Sequence, residues 1–166
     1  MEQTYYLIII GALILEYSLS TISSVFNMNS VSEDVPNGFQ DHYDEDKYAK
    51  SQAYLKDNTR FGLFSSTFSL ALTLIVIHTG LFGILDQFVR TQTVHPILSG
   101  LMYFGIIFII NDIINLPFSL YGTFVLEEKY GFNKTTSKTY VLDKLKGYML
   151  TIVFGTIIMS PVLYFF

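Results

Sequence analysis

The chain has 166 residues, of which 51% are hydrophobic, 16% aromatic and only 14% Asp, Glu, Lys or Arg. An ordinary soluble domain carries about 25% charged residues, so this chain lacks the charge for a water-facing surface and reads as a membrane protein. Its 10 Lys+Arg against 14 Asp+Glu give a formal net charge of -4 with no basic stripe, which argues against a nucleic-acid partner, and zero cysteines exclude disulfides, thiolate metal sites and a Cys nucleophile.

The first apolar run spans 5–26 and is interrupted by Glu16. Its start, Met1-Glu2-Gln3-Thr4, lacks the positive charge of a secretory leader, so the run is expected to stay as an anchor. The following loop, 27–60, has two parts. Residues 27–40 hold the turn Pro36-Asn37-Gly38 and read as irregular. Residues 41–60 read as a helix that can run into the next span: Asp44, Glu45 and Asp46 suit its dipole-positive start, and Tyr48, Gln52 and Leu55 share a face. The second apolar run, 61–85, has 25 residues without a formal charge. The third, 97–126, is interrupted by Asn111-Asp112 and Pro117.

A second polar loop covers 127–146. Gly131 permits a sharp turn, and Thr135, Thr136 or Ser137 can cap a helix in which Val141, Leu145 and Met149 form an apolar stripe for packing at the membrane surface. The fourth run is 147–166. Each run reaches the roughly 20 residues that a helix needs to cross a bilayer, and solid runs rather than alternation exclude a barrel. The predicted fold is all-α, a polytopic integral membrane protein with four transmembrane helices plus cytoplasmic loop helices. Nine of the ten Lys and Arg residues lie in 27–60 and 127–146, with only Arg90 between the second and third spans. Both loops are therefore expected on the cytoplasmic side and both chain ends outside or lumenal.

Ionisable groups within spans are costly and default to functional hypotheses. Here they are Glu16, His78 and Asp112. They either line a cavity or carry protons, or they hydrogen-bond to fix helix pairing, and the structural reading is the simpler. Asn111, Asp112 and Asn115 ahead of Pro117 suggest a local opening of the third helix toward water or protein. The three histidines are followed by Tyr43, Thr79 and Pro96, so none starts an HExxH zinc helix. The acidic cluster Asp41, Asp44, Glu45 and Asp46 lacks the EF-hand pattern and reads as a solvated helix start. Neither a metal site nor a catalytic set is expected in this chain, and no Walker A or GxGxxG motif is present. Asn133-Lys134-Thr135 fits a glycosylation acceptor, but its expected cytoplasmic side denies it the enzyme.

The stretch 116–136, which ends in Glu127-Glu128-Lys129-Tyr130-Gly131-Phe132-Asn133-Lys134-Thr135-Thr136, resembles the amino-terminal membrane region of the type 1 CAAX prenyl proteases. These are the Ste24-like zinc metallopeptidases of the M48 family. Tyr48-Ala49-Lys50-Ser51-Gln52-Ala53-Tyr54 and Asn58-Thr59-Arg60-Phe61 resemble the same region, as does the spacing of the spans. The resemblance implies that 1–166 is one M48-type N-terminal membrane domain, part of a larger helical chamber. In the complete enzyme, an HExxH site plus a distant Glu holds zinc and cleaves a peptide bond by metal-assisted hydrolysis.

None of those ligands falls within this sequence, which stops in its fourth span. The chain alone is thus expected to be noncatalytic and without a cofactor, with zinc in the complete enzyme. Its implied partners are the lipid bilayer and a catalytic M48 domain, in cis or as a separate chain, with a peptide or prenylated protein as substrate. Glu127, Glu128, Lys129, Gly131, Phe132 and Asn133 would then form the contact loop toward the catalytic part. The implied location is the endoplasmic reticulum in a eukaryote or the cytoplasmic membrane in a bacterium. Two other readings are a stand-alone membrane scaffold or regulator, and a small transporter subunit using Glu16, His78 and Asp112.

Overall fold

Hydrocarbon offers no partner for a backbone N–H or C=O, so an apolar chain in lipid satisfies these groups within helices. In the computed structural model, which describes residues 2–165, the ordered elements are all helical. They are α1 (Glu2–Ser30), α2 (Glu45–Thr79), α3 (Leu81–Gln92), α4 (Pro96–Tyr121), which continues into a π-helical segment (Gly122–Glu127), and α5 (Ser137–Phe165). Among the described residues, four helices are long and apolar enough to cross a membrane: Gln3–Ser30, Glu45–Thr79, Pro96–Glu127 and Ser137–Phe165.

Several boundaries differ from the hydropathy reading. The loop helix and second span are fused in α2, whose 35 residues make a rod about 52 Å long, longer than the roughly 30 Å of hydrocarbon. The helix opens at Glu45 rather than 41, because the Asp44 carboxylate accepts the Lys47 N–H at 3.1 Å as an N-cap. The expected run 61–85 does not stay whole. Gly80 takes φ 70°, a left-handed conformation that suits glycine, and Leu81 starts the separate 12-residue α3. Hydropathy misses this break because Leu81–Leu85 is as apolar as what precedes it. At the other end, the expected surface helix and fourth span are one helix, α5, with no break at Gly147. Thr136 caps it, its Oγ1 accepting the Thr139 N–H at 3.2 Å. The stripe Val141, Leu145 and Met149 is exposed along α5.

The chain gathers into two compact units, one running to His78 and taking up Tyr121–Asn133, the other made of Thr79–Leu120 and the residues from Lys134 onward. In the first unit α1 and α2 pack antiparallel. Tyr17 OH lies 2.6 Å from Thr67 Oγ1 and Tyr6 OH lies 3.4 Å from His78 Nδ1, so 11 residues back along α1 match 11 forward along α2. Lys56 draws the connecting segment onto α2 through Glu33 at 3.1 Å.

In the second unit α4 and α5 are antiparallel. Tyr140 OH donates to Ser119 Oγ at 2.8 Å near one end, and at the other Gly100 passes beneath Leu163. A Cβ on Gly100 would lie 2.6 Å from both Leu163 δ carbons. Valine at Gly100 should therefore destabilise the detergent-solubilised chain by about 1–3 kcal/mol, the usual range for overpacking. Gly105→Val, whose Cβ would meet nothing within 4 Å, should not. Thermal melts of the two variants check this; equal losses would contradict a close helix approach at Gly100.

Candidate functional site

Along α2, Lys50, Tyr54, Asp57 and Phe61 recur at helical spacing and share one face. This is not the Tyr48, Gln52 and Leu55 face that the sequence singled out. The segment 121–133 is laid along it. Tyr121 packs on Phe61 with ring centroids 4.8 Å apart. Asp57 Oδ2 accepts both Lys129 Nζ and Tyr130 OH at 2.6 Å, and Arg60 Nη1 stands 3.7 Å from Oδ1. Tyr54 meets Tyr130 and Phe132 edge-on at 5.5 and 5.0 Å. Lys50 Nζ lies 3.5 Å from where a Gly131 Cβ would sit.

Local rules produce this arrangement. The i→i+5 bonding of a π-helix spreads each turn over more residues than an α-helix, and the π segment Gly122–Glu127 re-registers the chain so that Tyr121 and Lys129 both reach α2. Gly131 then ends the helix in the left-handed conformation at φ 67°. Its N–H bonds the Glu128 carbonyl at 2.9 Å, and the Phe132 N–H bonds the Glu127 carbonyl at 2.9 Å. Tyr130 is buried, whereas Phe132 stays 44% exposed.

Of the loop residues predicted from sequence, Lys129 is bound to Asp57, Gly131 makes the turn and Phe132 packs on Tyr54. Asn133 Nδ2 donates to Glu128 Oε2 at 3.0 Å, and Glu127 is half-buried. Sequence reasoning missed Asp57. Its signal was a lone acid on the Tyr54 face of a helix already similar to the family, but the bonds that reveal its use span 72 and 73 residues.

Each embedded polar residue has its own surroundings within its unit. Asp112 on α4 holds Lys144 Nζ of α5 at 2.9 Å and accepts a short hydrogen bond from Tyr148 OH, and the ion pair is about three-quarters buried, with side-chain exposures of 24% and 23%. His78 meets Tyr6. Glu16 is exposed and sits ten residues, about 15 Å, along α1 from Tyr6. Asn115 Nδ2 bonds the Asn111 carbonyl at 2.7 Å, and α4 stays helical through Pro117.

These donors do not fit zinc, which takes about three protein ligands at one point. His42 lies between α1 and α2, His78 faces Tyr6, and His95 Nδ1 accepts the Leu98 N–H at 3.5 Å. No group of three or more His, Asp or Glu residues is placed to hold a metal among the described residues. The second unit instead carries a cavity of about 650 Å³ between α4 and α5, with Tyr148 at one end.

The Asp57 hydrogen bonds raise the pKa of Lys129 and of Tyr130 above their ordinary 10.5 and 10.0. Both groups hold their proton more tightly in the folded chain, so at high pH the unfolded chain carries fewer protons and stability falls. The contribution should be fully present below about pH 10 and lost as pH rises through the folded values. Melting temperatures between pH 8 and 11 should show this decline in the parent and a weaker one in Asp57→Asn; identical curves would contradict it.

Comparison with known proteins places this geometry. A family model described as "CAAX prenyl protease N-terminal, five membrane helices" matches residues 24–166. The described residues have four helices of spanning length, and α3, at 12 residues, is shorter than a span. The chain is 34% identical over 137 residues to "Probable CAAX prenyl protease 1" of Schizosaccharomyces pombe, covering 71% of this chain and 29% of the relative. It is 30% identical over 171 residues to "CAAX prenyl protease 1" of Saccharomyces cerevisiae, covering 96% and 37%. The structure titled "Crystal Structure of S. mikatae Ste24p" matches with a TM-score of 0.84 at 29% identity, over 97% of this chain and 38% of that one. The chain thus spans about a third of the length of the curated relatives it matches. With helices, motif and fold in agreement, the chain belongs to the CAAX prenyl protease N-terminal family, as a Ste24-like membrane domain.

Proposed function

We propose that this chain is the noncatalytic membrane portion of a CAAX-prenyl-protease-like zinc metalloendopeptidase and forms part of the wall of its helical chamber. The observation that carries the reading is the coverage. The chain aligns over 97% of its length with a protein of which it spans only 38%, and its own sequence has no HExxH. Zinc, the peptide or prenylated-protein substrate and the hydrolytic step belong, in this reading, to the part of the enzyme outside these residues. This chain spans the bilayer and holds the 127–133 segment rigidly on α2.

That segment is the proposed contact with the catalytic M48 part. Lys129 is engaged by Asp57 within the chain, so the surface offered outward narrows to Glu127, Glu128 and the exposed edge of Phe132. The nine-to-one division of Lys and Arg supports a cytoplasmic side for 27–60 and 127–146 and an outside or lumenal N-terminus. The membrane is the endoplasmic reticulum in a eukaryote and the cytoplasmic membrane in a bacterium.

A chimaera tests the reading. This chain replaces the matching third of the Saccharomyces cerevisiae relative, and yeast microsomes are assayed for cleavage of a prenylated CAAX peptide and for protease access to 27–40 from the cytoplasmic face. Retained cleavage and cytoplasmic access are expected, with no cleavage by the 166 residues alone. An inactive but folded and inserted chimaera, or access only from the lumen, would contradict the corresponding half of the proposal.

A further inference from the structure

At 12 residues α3 is about 18 Å long, too short to cross the roughly 30 Å of hydrocarbon. Leu81, Ile84, Leu85 and Phe88 follow one another at the i, i+3, i+4 and i+7 spacing of an apolar helix face. Asp86, Gln87, Arg90 and Thr91 occupy the opposite side, where Arg90 Nε donates to Asp86 Oδ2 at 2.8 Å and the pair carries no net charge. Val89, at one edge of the apolar face, is only 1% exposed and is packed into the protein, which fixes the rotation of the helix. Ile84 and Phe88 are then left 60% and 55% exposed beside it.

Chain lengths settle what this face meets. After Arg60, the 19 residues 61–79 hold no Asp, Glu, Lys or Arg and rise about 28 Å, so a crossing is complete before α3 begins. Tyr6, in the second turn of α1, reaches His78, so that end of α2 is level with the start of α1. Beyond Gln92 only Thr93, Val94 and His95 precede Pro96, where the α4 span starts. Both ends of α3 are therefore tied to one surface of the membrane. Bulk water would leave Ile84 and Phe88 hydrated, and the hydrocarbon core would desolvate Asp86 and Arg90. The boundary between headgroups and acyl chains suits both sides of the helix.

We infer that α3 is a membrane-surface helix whose Ile84 and Phe88 side is seated among the lipids of the leaflet at which the α4 span starts. The surface it fits is a glycerophospholipid leaflet of any headgroup charge, because its paired polar side offers no net attraction to anionic lipid. Seated in this way, α3 fixes the depth at which α4 enters the bilayer. This inference does not depend on the proteolytic reading.

The chain contains no tryptophan, so one substitution gives a single fluorescent reporter in the full chain in phosphatidylcholine vesicles. Phe88→Trp should emit to the blue of Gln87→Trp, and lipids brominated near the headgroup should quench it several-fold more strongly than Gln87→Trp. Bromines near the end of the acyl chain should quench it less, because such a helix sits only about 5–10 Å into the boundary. Added phosphatidylglycerol or salt should change neither result. Ile84→Trp, one turn earlier on the same side, repeats the test if Phe88→Trp melts early. Equal quenching on the two sides of α3, or strongest quenching by chain-end bromines, would overturn the inference. So would a blue-shifted but unquenched reporter, the sign that protein rather than lipid covers this face.

Discussion

One carboxylate fixes how the first unit is put together. Asp57 receives Lys129 and Tyr130 on a single oxygen, with Arg60 near the other. The interaction gathers a helix end, a left-handed glycine turn and an aromatic group onto one face of α2. The π segment lies between the Tyr121–Phe61 contact and the Lys129–Asp57 pair, and the left-handed turn at Gly131 leads into the Phe132 ring that meets Tyr54. The charges lie near the surface, where an isolated pair contributes little. A shared carboxylate with a buried tyrosine donor and three aromatic rings is a more constrained arrangement than such a pair.

The second unit meets a harsher form of the same constraint. A carboxylate on a spanning helix is expensive unless it is paired, and Asp112 is paired with both Lys144 and Tyr148. Removing one partner of such a pair leaves the other uncompensated, so the cluster fixes which face of α4 meets α5. Tyr140 on Ser119 and Gly100 beneath Leu163 extend that contact in both directions. Between these points the two helices line a half-open apolar groove.

The number and character of the spans were legible in the sequence because hydropathy reports directly on the solvent. Membership of the family was legible in a short polar stretch, 127–136, where spacing and chemistry are both restrictive. Boundaries were less so. Gly80 ends α2 through a backbone angle that leaves no trace in polarity, and the continuity of α5 through Gly147 depends on the absence of a break that glycine merely permits. Glu16, His78 and Asp112 look alike as charges in apolar runs, yet their surroundings differ: exposed for Glu16, a tyrosine for His78, an ion pair for Asp112. Asp57 stayed hidden because its donors lie more than 70 residues away in sequence. Only the fold brings them together.

The most direct measurement is a double-mutant cycle between Asp57→Asn and Lys129→Met in the full chain in lipid nanodiscs. Melting temperature and the rate of proteolytic nicking at 128–136 are the readouts. If Asp57 holds the segment on α2, each single variant loosens it, and the double variant is little worse than Asp57→Asn alone, because both changes remove the same interaction. Strictly additive losses, or nicking unchanged in Asp57→Asn, would mean that the segment is held by something other than this carboxylate.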